Sequence, residues 1–301
     1  MSAVDYDSLK LSHIRVTLDD GVLVIVIDRP AARNTFVEAF AHELIQALDY
    51  ADKDDRVRAV VFTADTSAPA YCSGADLSSG WKWSNANPDA NTDHGFRDPG
   101  GLVTLAVLRC RKVTIAAVNG HAVGVGVTGL QLPFDFRFAW ADAKIALPFV
   151  RRAITPEAAS VFMLPHLLGY SAAKAIFLSG ETFTPTHPLL TRLYYAVLPK
   201  REEVFPAALK FAKELASNTS APSIAATKAM LNHPPANAEE AHLIDSYMLK
   251  KITAGEGNDL IEGAKAFKER RLPKFTDSVN IMKNWAPWWK TLNLAPGSAK
   301  L

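Results

Sequence analysis

Two stretches decide how this chain reads: Ile115-Ala116-Ala117-Val118-Asn119-Gly120-His121-Ala122-Val123-Gly124-Val125-Gly126 and, upstream of it, Tyr71-Cys72-Ser73-Gly74-Ala75-Asp76-Leu77. Each follows a β-rich apolar run, and each is suited to presenting unpaired backbone N–H groups. Two such donors aimed at one point form an oxyanion hole, which stabilises negative charge growing on a carbonyl oxygen. The pair therefore points to chemistry on a thioester or a similar carbonyl.

Outward from these segments, the chain alternates strand and helix signals. Residues 14–17 and 22–27 read as strands about the tight turn Asp19-Asp20-Gly21. Arg29-Pro30 stops the second strand, and Asn34 or Thr35 can cap a helix over 36–51, where Phe40, Leu44, Ile45 and Leu48 recur at helical spacing. Residues 58–63 form a third strand. Residues 78–101, rich in Ser, Asn, Asp, Gly and Pro with Trp81, Trp83 and Phe96 interleaved, read as a long mobile insertion. Helices are expected at 102–109, 123–132, 157–168 and 171–178, and strands at 113–118, 136–139 and 144–146. Beyond Pro199 the pattern is wholly helical, at 204–217, 223–231, 238–254 and 259–270. The fold class is α/β: a core over residues 1–200 in which a strand, strand, helix unit recurs, and a helical region with a tail over 201–301.

Composition narrows the function classes. Of 301 residues, 49% are hydrophobic and 21% charged, as in ordinary globular proteins. A net charge of +2 gives no global field favouring nucleic acid or an anionic membrane, so neither is expected as a partner. No window approaches the length of a membrane span. Cys72 and Cys110 lack the Cys and His spacings of a zinc site, and no metal is expected. The chain ends Ser298-Ala299-Lys300-Leu301, close to the Ser-Lys-Leu peroxisomal address, so a peroxisomal location is expected, with the import receptor as a partner through Ala299-Lys300-Leu301.

Together, Val24-Ile25-Val26-Ile27-Asp28-Arg29-Pro30-Ala31-Ala32-Arg33-Asn34 and the two glycine segments resemble the crotonase (enoyl-CoA hydratase/isomerase) superfamily, over residues 14–275. The resemblance implies a spiral of ββα turns with a C-terminal helical trimerisation region. It also implies acyl-CoA thioester substrates, no separate cofactor, since coenzyme A is part of the substrate, and a homotrimer or dimer of trimers. Carried over residue by residue, it makes the N–H groups of Ala75 and Val125 the oxyanion donors. Val125 stands in the middle of what is a Gly-Gly-Gly run in many family members. Helix N-termini behind Ala75 and Val125 are expected to add positive potential. Ser73, Ala75, Asp76 and Leu77, with Arg33 and Lys268, are the candidates for holding CoA. Asp76 also reads as the cap of a helix after Ala75.

Hydratases of the superfamily use two glutamates, and here Thr128 and Phe149 stand at those positions. The acid that remains is Glu157, in the Pro148-Phe149 to Pro156-Glu157 segment, which resembles the peroxisomal Δ3,Δ2-enoyl-CoA isomerases. There one glutamate removes a proton from C2 and returns it at C4. Read from local sequence alone, Glu157 is a first-turn glutamate after Pro156, and it is the family resemblance that makes it the acid/base. A dienoyl-CoA isomerase, another acyl-CoA enzyme such as a hydratase or hydrolase, and a non-catalytic acyl-CoA-binding protein remain alternatives. His121 reads as structural, Cys72 as unsuited to nucleophilic work, and Trp285, Trp288 and Trp289 as packing or partner-binding residues.

Overall fold

The computed structural model describes residues 4–78, 95–254 and 257–282. Trp81, Trp83, the three C-terminal tryptophans and the terminal tripeptide lie outside those residues. Strand β1 (Ile14–Asp19) pairs antiparallel with β2 (Val22–Ile27) through the expected hairpin. Helix α1 (Glu38–Lys53) follows, then β3 (Ala59–Ala64) and β4 (Ala70–Cys72). Next come α2 (Pro99–Arg109), β5 (Val113–Val118), β6 (His121–Val123) and α3 (Val125–Thr128). β7 (Phe136–Trp140) and β8 (Ile145–Ala146) lead to α4 (Ser160–Leu168) and α5 (Tyr170–Ser179). β9 (Thr182–Phe183) and β10 (Ala196–Leu198) complete the strands.

The strand order explains the spiral. One sheet runs β1-β2-β3-β5-β7-β10 and the other β4-β6-β8-β9. Successive turns thus place one strand in each sheet, β3 with β4, β5 with β6 and β7 with β8, and each pair is followed by a helix. The large-sheet strands from β2 to β10 run parallel, and β2, β3 and β5 read as near-continuous apolar runs because both faces are covered. On one face Leu23, Ile25, Val60 and Phe62 meet α1 through Phe40, Leu44 and Leu48. On the other, Val61, Ile115 and Phe138 meet Val204, Ala208 and Ala212 of α6 (Val204–Asn218).

Helices α7 (Ala221–Asn232), α8 (Ala238–Thr253) and α9 (Asp259–Glu269) follow. Lys228 of α7 is buried and reaches back to Asp135, Nζ to Oδ2 at 2.8 Å, while Asp135 also accepts from the Thr114 amide at 2.7 Å. Asp135→Ala would strand that ammonium, and we expect it to cost about 2–3 kcal/mol, read as a lower denaturation midpoint at unchanged slope. Among the described residues no helix is long and apolar enough to cross a membrane.

Several boundaries differ from expectation for identifiable reasons. The first helix begins at Glu38 with no side-chain cap. Asn34, instead of capping it, is buried in a left-handed conformation, accepting from the Arg29 amide at 3.1 Å and donating to the Ala70 carbonyl at 2.8 Å. The helix expected over 123–132 is the single turn α3, since Val123 belongs to β6 and the chain passes on through further turns. α2 begins three residues earlier than read, because Asp98 caps it ahead of Pro99. No helix follows Ala75 directly within the described residues; Asp76 closes a local turn by accepting from the Ser78 amide at 3.0 Å.

Candidate active site

The two glycine segments meet because β4 and β6 are parallel neighbours and α3 is set directly on Cys72. A Cβ at Gly126 would lie 2.6 Å from the Cys72 carbonyl oxygen, so glycine alone allows that approach. Ahead of it, Phe36 forms an isolated bridge with Ala75: its N–H donates to the Gly74 carbonyl and its carbonyl accepts from Asp76, both at 2.9 Å. These bonds flank Ala75 and turn its own amide the other way. Among the described residues the N–H groups of Ala75 and Val125 donate to no protein acceptor.

Ala75 and Val125 both line a cavity of about 650 Å³, and Glu157 lines the same cavity. Its walls are largely apolar, with Phe36, Phe96, Phe149 and Ile154 among them. Glu157 does not sit in a helical first turn. Helix α4 starts at Ser160, and Ala158 and Ala159 between them take left-handed conformations, φ 58° and 53°. Two successive alanines in that region carry strain of a kind that clusters at functional sites. The strained turn directs the carboxylate inward. There Glu157 Oε1 accepts from the Thr128 hydroxyl, and a Cβ at Gly100 would overlap Oε2. Gly100 is thus the clearance for the carboxylate.

This environment disfavours charge. Burial pushes the Glu157 carboxyl up to about 8; the Thr128 hydrogen bond opposes the shift, and the neighbouring Asp98 adds to it through its charge and as a hydrogen-bond partner. Glu157 is only half-buried by its accessible surface, because it borders the open cavity. Cys72 lies near it with a fully enclosed thiol that burial pushes up to about 12, which removes it as a nucleophile at neutral pH. His121 packs on Trp140 and accepts from the Lys144 amide at 3.0 Å, a structural arrangement.

The remaining candidates separate. Ser73 and Leu77 line the cavity with Ala75, and the Ser73 hydroxyl donates to the Arg33 carbonyl at 2.9 Å. The Arg33 side chain is exposed and does not line the cavity. Asp76 turns away to Thr35 at 3.1 Å and Arg29 at 3.4 Å. Lys268 stands on the exposed face of α9, outside the cavity lining of the single chain. Thr128 and Phe149, read as empty hydratase positions, have parts of their own: Thr128 holds Glu157, and buried Phe149 makes an apolar wall against Phe177, ring centroids 6.3 Å apart.

The residues that sequence reading missed are Asp98 and Gly100, assigned to an insertion. Asp98-Pro99 carried the signal, an N-cap before proline. Their proximity to Glu157 is non-local and has no periodicity to betray it.

The chain is similar to known proteins over most of its length. Residues 17–278 match the family model described as enoyl-CoA hydratase/isomerase. The enoyl-CoA hydratase AFT3-1 of Alternaria alternata is 38% identical over 260 residues, spanning 86% of this chain and 84% of its own. The mevalonyl-coenzyme A hydratase SIDH of Beauveria bassiana is 31% identical over 264 residues, 85% of this chain and 92% of its own. Among solved structures, a probable enoyl-CoA hydratase/isomerase from Mycobacterium abscessus matches with a TM-score of 0.76 at 31% identity, covering 88% of this chain and 99% of that one.

Proposed function

The chain belongs to the enoyl-CoA hydratase/isomerase (crotonase) family, and from that premise we propose that it moves a double bond from C3 to C2 of an enoyl-CoA thioester. The observation that carries the reading is Glu157: a carboxyl raised to about 8, lining a cavity together with Ala75 and Val125, whose amides donate to no protein acceptor among the described residues, and with no carboxylate at position 128 or 149. The thioester oxygen accepts from both amides. Glu157 takes a proton from C2, the C–H electron pair enters the dienolate, and the charge rests on the oxygen. The protonated Glu157 then delivers the proton to C4, which returns the carboxylate and leaves the double bond at C2. Each donor is worth about 3–4 kcal/mol in such a step. A group that accepts and then gives back one proton works best with a pKa near the working pH, where both forms are accessible. The walls of Phe149, Phe36 and Val125 disfavour seating the water that hydration requires. Exposed apolar side chains on α8 and α9, among them Leu243, Leu249, Ile261 and Phe267, support a self-associated form of the enzyme.

Hydration is the second reading, favoured by two observations. AFT3-1 and SIDH are named hydratases, and Asp98 supplies a second carboxylate beside Glu157. The two readings differ in the sign of a pH limb. Isomerisation begins with ionised Glu157, so kcat/KM with a 3-enoyl-CoA should climb about tenfold per pH unit below the Glu157 pKa, about 8, and level off above it. Hydration in which Glu157 delivers a proton to C2 needs the acid form, so kcat/KM with a 2-enoyl-CoA should fall above that pH. Profiles with both substrates decide between them.

A further inference from the structure

Asp98 is the acid beside Glu157 to which isomerisation assigns no step. It caps α2, its Oδ2 accepting from the Gly101 amide at 2.5 Å, and the same oxygen accepts from the Ala158 amide at 3.1 Å. A second bond ties the same two segments together: the buried Thr104 of α2 donates to the Ala158 carbonyl at 3.0 Å. Asp98 therefore fastens the strained turn that carries Glu157 to the start of α2, across sixty residues of sequence. It also lines the same cavity as Glu157.

We propose that Asp98 is a positioning residue for Glu157, fixing the turn through the Ala158 amide and accepting the hydrogen bond of Glu157 in its protonated form. The carboxyl then has one protein partner for each state. Ionised, it accepts from Thr128; protonated, it donates to Asp98. The proton is held at the cavity wall between leaving C2 and reaching C4 and is not lost to water. The inference rests on the reading of Glu157 as proton carrier, but its physical core concerns the pair alone.

The groups facing Glu157 limit what else could produce the same behaviour. Asp98 approaches from α2, Thr128 from α3 and Cys72 from β4; Thr128 does not titrate, and Cys72 stays neutral to about 12. Arg152, on the segment leading to Glu157, lines the same cavity. Asp98 is the neighbour whose negative charge can hold the Glu157 proton on.

The test is Asp98→Asn, which keeps an oxygen for the Gly101 and Ala158 amides but removes the charge. The titration of Glu157 is read directly by carboxyl NMR of glutamate-labelled protein, with Glu157→Gln assigning the signal. It should move down by about one pH unit in Asp98→Asn at nearly unchanged Tm. Where the parent enzyme turns over, the limb of its kcat/KM profile should move with it. Asp98→Ala, which also loses the cap, should move the titration the same way and lower Tm as well. An unmoved Glu157 titration in Asp98→Asn overturns the proposal. A titration that moves in a protein without turnover of any enoyl-CoA upholds Asp98 as partner to Glu157 and refutes the isomerase reading instead, so the two failures are distinct.

Discussion

The Glu157→Gln enzyme is expected to turn over a 3-enoyl-CoA with kcat lowered about 10²- to 10⁴-fold and KM nearly unchanged. Glutamine fills the same volume beside Gly100, and its amide oxygen can still accept from Thr128, so the cavity keeps its shape. What disappears is the one group able to carry a proton from C2 to C4. The loss corresponds to about 3–5 kcal/mol of transition-state stabilisation, the scale of a positioned general base. Stability should move in the opposite direction. Glu157 is held in its neutral form by the fold, with a carboxyl raised from 4.5 to about 8. The unfolded chain ionises first, so the stability that this group confers at low pH is lost as pH rises between those values. Glutamine has no such dependence, and the variant should therefore melt at or above the parent's temperature at pH 8. Turnover within tenfold of the parent, in a protein that still binds acyl-CoA, would remove Glu157 from the mechanism.

How far the sequence reached can be judged from particular residues. Strands β2 and β3 were legible because parallel strands covered on both faces leave long apolar runs, and Val22–Ile27 and Ala59–Ala64 are such runs. The second glycine segment was legible as a turn but not in extent. Gly124, Gly126 and Gly129 weaken helix propensity, and the close seating of α3 on Cys72, not the local pattern, decides that it lasts one turn. Glu157 entered through resemblance, since a glutamate after proline reads locally as a helix start. The structure gives it a different backbone, because Ala158 and Ala159 adopt left-handed conformations that alanine does not announce. Asp98 was beyond reach for another reason: its bond to the Ala158 amide closes across sixty residues, and no pattern along the chain encodes it.

Val125→Pro removes one oxyanion donor without touching a side chain that does chemistry, and kcat should fall about 10²- to 10³-fold. The position suits the substitution. Val125 is the first residue of α3, where proline's missing N–H costs the helix nothing and its fixed φ fits. The bonds that hold α3, from Val127 and Thr128 to the Gly124 carbonyl and from Gly129 to the Val125 carbonyl, do not use the Val125 amide. Gly124 before it has φ 55° and ψ −121°, outside the right-handed helical region that proline forbids to its predecessor. Val125→Ala is the matching control: it keeps the donor and opens space against Gly100 and Gly129, so its effect should fall on acyl-chain preference and KM, with kcat held within a few fold. Circular dichroism and Tm of both variants establish that they fold. A folded Val125→Pro enzyme with undiminished kcat would show that the charge on the thioester oxygen is stabilised elsewhere. Loss in the proline variant alone would assign the main chain at Val125, and not its side chain, to the transition state.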